Sequence, residues 1–308
     1  MALSFTIKAK RMTHDQIWAV KQLSRNVFET RFIARQSKDW EQWVLLTSDQ
    51  HWDNPKCDRQ MLKAHLDLAL KRNAPVFSNG DTFCAMQGKY DKRASKSALR
   101  PEHQVDNYLD TIVNDAAEWF APYAKNHICF GVGNHESSIK TKLETDLIER
   151  LVCLLNAKTG SSVYNGGFSG WLRFSFCFDS SRGLKTVHKT ITAHYDHGYG
   201  GSAPVTDDII QHQRRAVYLP DADIVLSGHT HGAFMQERAR VRLSKAGRVY
   251  HDVQTHIKLS SYKDDRGDGF GGWASEKGIP PKPLGGWWLR FYYCPRRVAV
   301  LYEAVRAQ

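Results

Sequence analysis

Five times along this chain an apolar run of strand length breaks off, and residue types that bind metal ions follow at once. Residues 43–48 precede Asp49-Gln50-His51, and residues 75–79 precede Gly80-Asp81. Residues 127–132 precede Gly133-Asn134-His135-Glu136, residues 184–194 run into Tyr195-Asp196-His197-Gly198, and residues 223–227 precede Gly228-His229-Thr230-His231. A strand delivers whatever follows it to the edge of a sheet, and a glycine there frees the backbone to turn. An isolated His-x-His is weak evidence of a site, but the same design repeated five times constrains the fold. Carboxyl ends of strands are the edge at which open α/β sheets place their sites, so these groups are expected to converge there.

The first half alternates strand and helix. Asp58 is placed to cap a helix whose face is Met61, Leu62, Leu66 and Ala69, so residues 43–81 form a βαβ unit. After Pro101 a second helix carries Val105, Leu109, Ile112, Val113, Ala116, Trp119 and Phe120 as one stripe. Thr141 and Glu144 make a capping-box pattern before Leu147, Ile148, Leu151, Val152 and Leu155. From residue 162 the pattern turns to strands, over 171–178 and 184–194 with a turn at 180–183, and again over 249–257 and 287–300 beyond a helix at 207–217. Ile17, Trp18, Val20 and Leu23 recur at roughly helical spacing, which predicts a helix over 13–26 in an accessory segment, 1–40. No internal repeat or low-complexity linker interrupts the rest, so 41–308 reads as a single domain.

Composition narrows the class. With 308 residues, 42% of them hydrophobic, the chain can bury a sizeable core. Its 43 Lys+Arg against 32 Asp+Glu leave a formal charge of +11, which suits a polyanionic partner such as nucleic acid. Lys89, Lys92, Arg93, Lys96 and Arg100 form a basic loop that reads either as a solvated surface or as a phosphate-backbone rim. A glycine-dense stretch, 264–273, could fold over the site and bring Lys263 or Arg266. Trp287, Trp288, Phe291, Tyr292 and Tyr293 beside Arg290, Arg296 and Arg297 could stack bases, but strand core is the favoured reading. Six scattered cysteines without a Cys-x-x-Cys read as free thiols in a reducing compartment. Residues 1–8 are too short an apolar patch for a signal peptide, and no stretch approaches a membrane span. The expectation is a cytoplasmic protein.

Collected, the strand-end groups are Asp49, His51, Asp81, Asn134, His135, His197 or His194, His229 and His231. His197 is preferred over His194 because the glycine after it permits a sharp turn. Carboxylate, carboxamide and imidazole together suit Mn²⁺, Fe²⁺, Zn²⁺ or Ni²⁺, and the set is too large for one ion. Two divalent metal ions sharing a carboxylate fit the count.

In this order the motifs Asp49-x-His51, Gly80-Asp81, Gly133-Asn134-His135-Glu136, His197-Gly198 and Gly228-His229-Thr230-His231 resemble those of the calcineurin-like metallophosphoesterases, and the glycine-rich tail resembles the phage-encoded branch of that family. The resemblance implies an α/β fold, a four-layer αββα sandwich with two mixed sheets flanked by helices. It implies that Asp49, His51 and His231 hold a first metal, that Asp81 bridges, and that Asn134, His197 and His229 hold a second, with Mn²⁺ ahead of Fe, Zn or Ni. His135 and Asp81 are then the catalytic residues, His135 facing the substrate rather than a metal. Lys89, Arg93 and Arg266 are the candidate substrate-binding cations. Many relatives continue the second motif as Gly-Asp-x-x-Asp, whose last Asp orients the catalytic histidine; here that position is Cys84, so His135 is less effective, is oriented by another group, or acts mainly as an electrostatic donor. The reading is a phosphodiesterase acting on nucleic acid or a nucleotide, in the host cytoplasm if phage-encoded. The alternatives are a phosphomonoesterase or protein phosphatase, or a non-catalytic scaffold of the same fold.

Overall fold

A computed structural model of the protein describes residues 17–85, 99–178, 189–201, 203, 205–270 and 273–307. The alternating apolar strands build two mixed sheets packed face to face. Seven strands form one sheet: β1 (Trp18–Ser24), β2 (Val27–Ala34), β7 (Ser169–Phe178), β8 (Lys189–Asp196), β9 (Ile224–Ser227), β11 (Val249–Lys258) and β10 (Phe234–Leu243), in that spatial order. The other sheet has six, in the order β13 (Ala299–Ala307), β12 (Gly286–Cys294), β3 (Glu41–Thr47), β4 (Val76–Ser78), β5 (His127–Gly131) and β6 (Tyr164–Gly167).

Successive side chains of a strand point to opposite faces, and β3 shows what each face does. Val44 and Leu46 enter the core between the sheets with Phe28, Phe32, Phe77, Leu172, Phe174, Phe176, Ile224, Leu226 and Phe291. Leu45, between them, packs outward with Val76 and Phe130 against the helices. Those helices are α1 (Arg59–Lys71), α2 (Tyr108–Phe120) and α4 (Leu147–Thr159), which contribute Leu62, Leu66, Ile112, Val113, Ala116, Leu147, Leu151 and Leu155. On the far side of the seven-stranded sheet a small cluster of Leu219, Ala222, Val225 and Trp171 lies beside α5 (Ile209–Tyr218). The layering is therefore the αββα sandwich expected, with an outer helical layer on that side thinner than its counterpart. Among the described residues no helix is long and apolar enough to cross a membrane.

Several local expectations are corrected. Residues 18–24 are a strand, not part of a helix: β1 pairs antiparallel with β2, Trp18 opposite Phe32 and Gln22 opposite Phe28, and Trp18 and Val20 pack against the inter-sheet core. Pairing with a strand already held in the sheet outweighs a weak helical periodicity. The segment set apart as 1–40 thus supplies, from Trp18 onward, two strands of the larger sheet, with Phe28 and Phe32 fully buried. Thr141 does not cap α4; it lies inside another helix, α3 (Asn134–Leu143), and the side chain of Asp146 accepts from Glu149 N at 3.0 Å as the actual cap. Val105 stands outside the stripe of α2, exposed ahead of its first turn. The region 287–300 is split between β12 and β13 by a turn that holds Arg296 and Arg297, while Trp287, Trp288 and Phe291 are buried as strand core.

Candidate metal centre

Parallel pairing of β3 with β4 and of β4 with β5, and of β8 with β9 in the second sheet, sends five chain segments out at one end of the sandwich. Their backbones remain laced together beyond the strands: Asp49 N donates to Gly80 O at 3.0 Å, His51 N to Asp81 O at 2.9 Å, and Gly228 N to His197 O at 2.8 Å. The strand-end residues therefore meet. Donor atoms of Asp49, His51 and His231 lie within 4.8 Å of one another, and so do those of Asp81, His197 and His229. Asn134 joins the second group, its Oδ1 2.7 Å from His229 Nδ1 and 3.2 Å from His197 Nε2. Within the first group His51 Nε2 is 3.2 Å from His231 Nε2, within the second Asp81 Oδ2 is 3.2 Å from His197 Nε2, and across the two His197 Nε2 is 4.0 Å from Asp49 Oδ1.

The donor set passes a direct test of fit for divalent cations. A ligating imidazole has its other nitrogen fixed by a carbonyl or carboxylate. Three of the four candidate imidazoles are tied in this way: His197 Nδ1 to Asn79 O at 2.8 Å, His229 Nε2 to Gly200 O at 2.9 Å, and His231 Nδ1 to Asp265 Oδ2 at 2.9 Å. The nitrogens left over face the cluster. Asp49, His51, Asp81 and His197 are at most 2% exposed, a depth at which such groups are tolerated only when paired or coordinating.

Backbone conformation adds a second sign. Asp49, His51, Asp81, His229 and His231 have φ of 49°, 45°, 50°, 78° and 60°. Left-handed residues of this kind cost about 1–3 kcal/mol each and persist where the surroundings over-determine them. Here the surroundings are Ser261 and Tyr262, whose Oγ and N donate to Asp49 O at 2.8 and 3.2 Å, and Asp49 itself, whose Oδ2 accepts from His229 N at 2.9 Å.

Two carboxylates outside the ligand set hold the loop that carries Asp81. Glu136, 1% exposed, accepts from Asp81 N at 3.2 Å, Phe83 N at 2.9 Å and Gly133 N at 2.8 Å. Asp53 accepts from Cys84 N at 2.5 Å, Ala85 N at 2.9 Å and the Tyr108 hydroxyl at 2.7 Å. Sequence reading assigned no role to either, nor to Asp265; each is an acid close to a motif, and only the fold shows which amides they meet. His135 Nδ1 is bonded to the backbone carbonyl of Cys84 at 2.6 Å, so the main chain of that residue orients the ring where the thiol does not.

Electrostatics follow from crowding. Burial opposes ionisation of Asp49, but the imidazoles of His197 and His231 outweigh it and hold the carboxyl below the usual range. Asp81 too is held well below its ordinary value, against its burial, by His197 and His135. Burial likewise disfavours charge on His197 and His231; Asp81 and Asp49 raise the first to about 10, and Asp265 and Asp49 raise the second to about 9. Burial, with Lys263 and His135 nearby, keeps His51 well below its ordinary value. Burial, then the charge of Asp81, pushes Glu136 up to about 8.

Of the other candidates, His194 is not in the cluster: its ring packs edge-on against Trp171 and its Nε2 meets Ser169 Oγ at 3.3 Å. Arg266 directs its guanidinium to Ile279 O at 2.6 Å, and Lys263 is the cation of that segment whose charge bears on His51. Lys89 and Arg93 lie outside the described residues, as does most of the basic loop.

The close approach of the loops predicts which glycine is indispensable. A Cβ on Gly133 would sit 2.0 Å from Asp81 Oδ1 and 2.4 Å from its backbone nitrogen, whereas one on Gly201 meets nothing within 4 Å among the described residues. Gly133→Ala should therefore cost about 3 kcal/mol in urea unfolding and Gly201→Ala less than about 0.5 kcal/mol. Equal midpoints for the two would contradict the packing described.

Comparison with known proteins adds little beyond this geometry. No protein-family model matches the chain, and neither does any curated protein. Among solved structures it is similar to a conserved Streptococcus pneumoniae protein described as a predicted phosphoesterase, at 13% identity over 87% of this chain and 91% of that one, with a TM-score of 0.32. It is also similar to Vps29 of Chaetomium thermophilum, at 8% identity over 85% and 95% with a TM-score of 0.35, and to GAP50, the anchor in the inner membrane complex of Plasmodium, at 12% over 87% and 85% with a TM-score of 0.36. Likenesses this distant carry no weight for activity; the architecture rests on the strands and helices themselves.

Proposed function

We propose that the protein is a metal-dependent phosphoesterase with a dinuclear centre, acting on phosphodiesters of nucleic acid or nucleotides. The observation that carries this reading is the meeting of two donor groups, Asp49–His51–His231 and Asp81–His197–His229 with Asn134, in one buried site beside His135. Two divalent ions held there would supply the Lewis acidity that draws in and polarises a phosphate and makes hydroxide available near neutral pH. Asp81, grouped with His197 and His229, is the bridging carboxylate on this reading.

His135 is the group for the substrate side. Its Nδ1 hydrogen is committed to Cys84 O, and Nε2 stands 3.9 Å from Asp81 Oδ2 on a side chain 11% exposed. In its charged form the ring keeps that bond and still presents an Nε2–H to a phosphate oxygen or a leaving alkoxide. The surplus of 43 Lys+Arg over 32 Asp+Glu supports a polyanionic substrate. All six cysteines are free, which supports a reducing compartment such as the cytoplasm, of the host if the tail's resemblance to phage-encoded members reflects origin.

The test is metal-stripped protein reloaded with Mn²⁺ and assayed on a bis-aryl phosphate, an aryl monophosphate, and single- and double-stranded DNA. Metal-dependent turnover of diesters is expected, reduced about a hundredfold in His135→Ala. Hydrolysis of the monoester alone would reverse the substrate preference, and no turnover of any of the four would leave the scaffold reading.

A further inference from the structure

A third donor group adjoins the two already described and uses the one residue that departs from the family pattern. The Cys84 sulfur, a ring nitrogen of His51 and a ring nitrogen of His135 lie within 4.8 Å of one another; His51 is shared with the Asp49–His51–His231 group, and Cys84 and His135 belong to neither of the other two. Cys84 is 1% exposed and His51 1% exposed, and the rings of His51 and His135 stand edge to face with centroids 4.9 Å apart. His135 Nε2 is the free nitrogen of its ring because Nδ1 is bonded to Cys84 O. His51 has one nitrogen facing His231 and the other, Nδ1, buried with no hydrogen-bond partner among the described residues. Asn54 Nδ2 donates to the Cys84 sulfur at 3.3 Å, while burial pushes the thiol up to about 12, so a cation there has a proton to displace.

We infer that Cys84, His51 and His135 form an alternative site, overlapping the first donor group at His51, for a thiophilic divalent ion, Zn²⁺ or Cd²⁺ rather than Mn²⁺. One sulfur and two imidazoles with a fourth position left to water is a soft, tetrahedral donor set; hard oxygen-seeking ions gain nothing from the thiolate. A tetrahedral ion with ligands at about 2.1–2.3 Å sets its donors about 3.4–3.8 Å apart, within reach of small rotations of three side chains already grouped. On binding, the Cys84 S–H bond breaks, the sulfur–metal bond forms and the proton leaves to solvent. An ion there takes His51 from the first metal group and His135 from the substrate side. Occupancy therefore inhibits: the position at which relatives carry an acid becomes a point where a soft metal shuts the site.

The experiment reads coordination and does not depend on turnover. Metal-stripped full-length protein titrated with Co²⁺ should develop thiolate-to-cobalt charge-transfer absorption in the near ultraviolet, absent in Cys84→Ser and retained in Cys57→Ser. His135→Gln, which keeps the thiol, should weaken the transition at least tenfold in Co²⁺ concentration. No thiolate band in the wild type, a band that survives in Cys84→Ser, or one indifferent to His135→Gln overturns the site. If the phosphoesterase reading holds as well, Cd²⁺ added to the Mn²⁺-loaded enzyme should inhibit wild type at least tenfold more strongly than Cys84→Ser. Loss of the absorption and loss of turnover are separate results, so failure of one proposal is distinguishable from failure of the other.

Discussion

Asp81→Asn is expected to lower metal-dependent turnover about a thousandfold while leaving the fold intact. The substitution is nearly isosteric, and Asn retains an oxygen to accept from His135 N, which Asp81 Oδ1 now does at 3.0 Å. What it removes is a negative charge buried to 2% exposure and 3.2 Å from His197 Nε2. Losing about 4 kcal/mol of the transition-state stabilisation that bound cations would give is a factor of about a thousand, each 1.36 kcal/mol being about tenfold in rate. Far-ultraviolet circular dichroism should match wild type, and the loss should appear in kcat with Mn²⁺ saturating. Undiminished activity in Asp81→Asn would assign the turnover to a contaminant and remove this carboxylate from the mechanism.

Loading the stripped protein with metal should raise its melting temperature by about 8 °C. An ion at a hundred times its dissociation constant stabilises by about 2.7 kcal/mol, so two give about 5 kcal/mol; with an unfolding entropy of about 2.1 cal/mol/K per residue, a chain of this length gains about 1.5 °C per kcal/mol. Asp81→Asn should forfeit at least half of the gain. The pH dependence has a definite sign. In the metal-free protein Asp81 and Asp49 hold His197 protonated up to about 10, and Asp265 with Asp49 holds His231 protonated up to about 9, each against its burial. Cations must displace those protons, so affinity climbs as pH rises towards that range and the gain in melting temperature shrinks as pH falls. Scanning calorimetry at several pH values with Mn²⁺ fixed would show this; a shift that is absent, or that grows on acidification, would contradict the donor set.

The ligand-type residues were legible because each sits directly after a strand-length apolar run, and local order along the chain carries that information. Gly133 and Gly228 were legible for the same reason, although the clash each avoids, with Asp81 and with Ser48 and Asp49 respectively, belongs to the assembled loops. The helix expected over 13–26 misled because Trp18 and Val20 satisfy either period, and the partner that decides between them, β2, is identified only by pairing. Thr141 misled because a capping pattern is cheap to match, and the Asp146 side chain meets the condition that counts, an amide to accept from.

What the sequence by itself determined is the strands that run into the metal-type residues and the residue types at their ends, since periodicity and turn chemistry are properties of neighbouring residues. What only tertiary structure decided is which distant groups touch. Asp53, Glu136 and Asp265 acquire their roles from amides and an imidazole far along the chain, and the Cys84 carbonyl, invisible in any residue name, fixes the ring of His135. His197 rather than His194 enters the cluster because β8 ends at Asp196 and the next residue is the first free to leave the sheet. Hydrogen bonds and charge pairs act over a few ångströms of space, and the chain order does not record distances across two packed sheets.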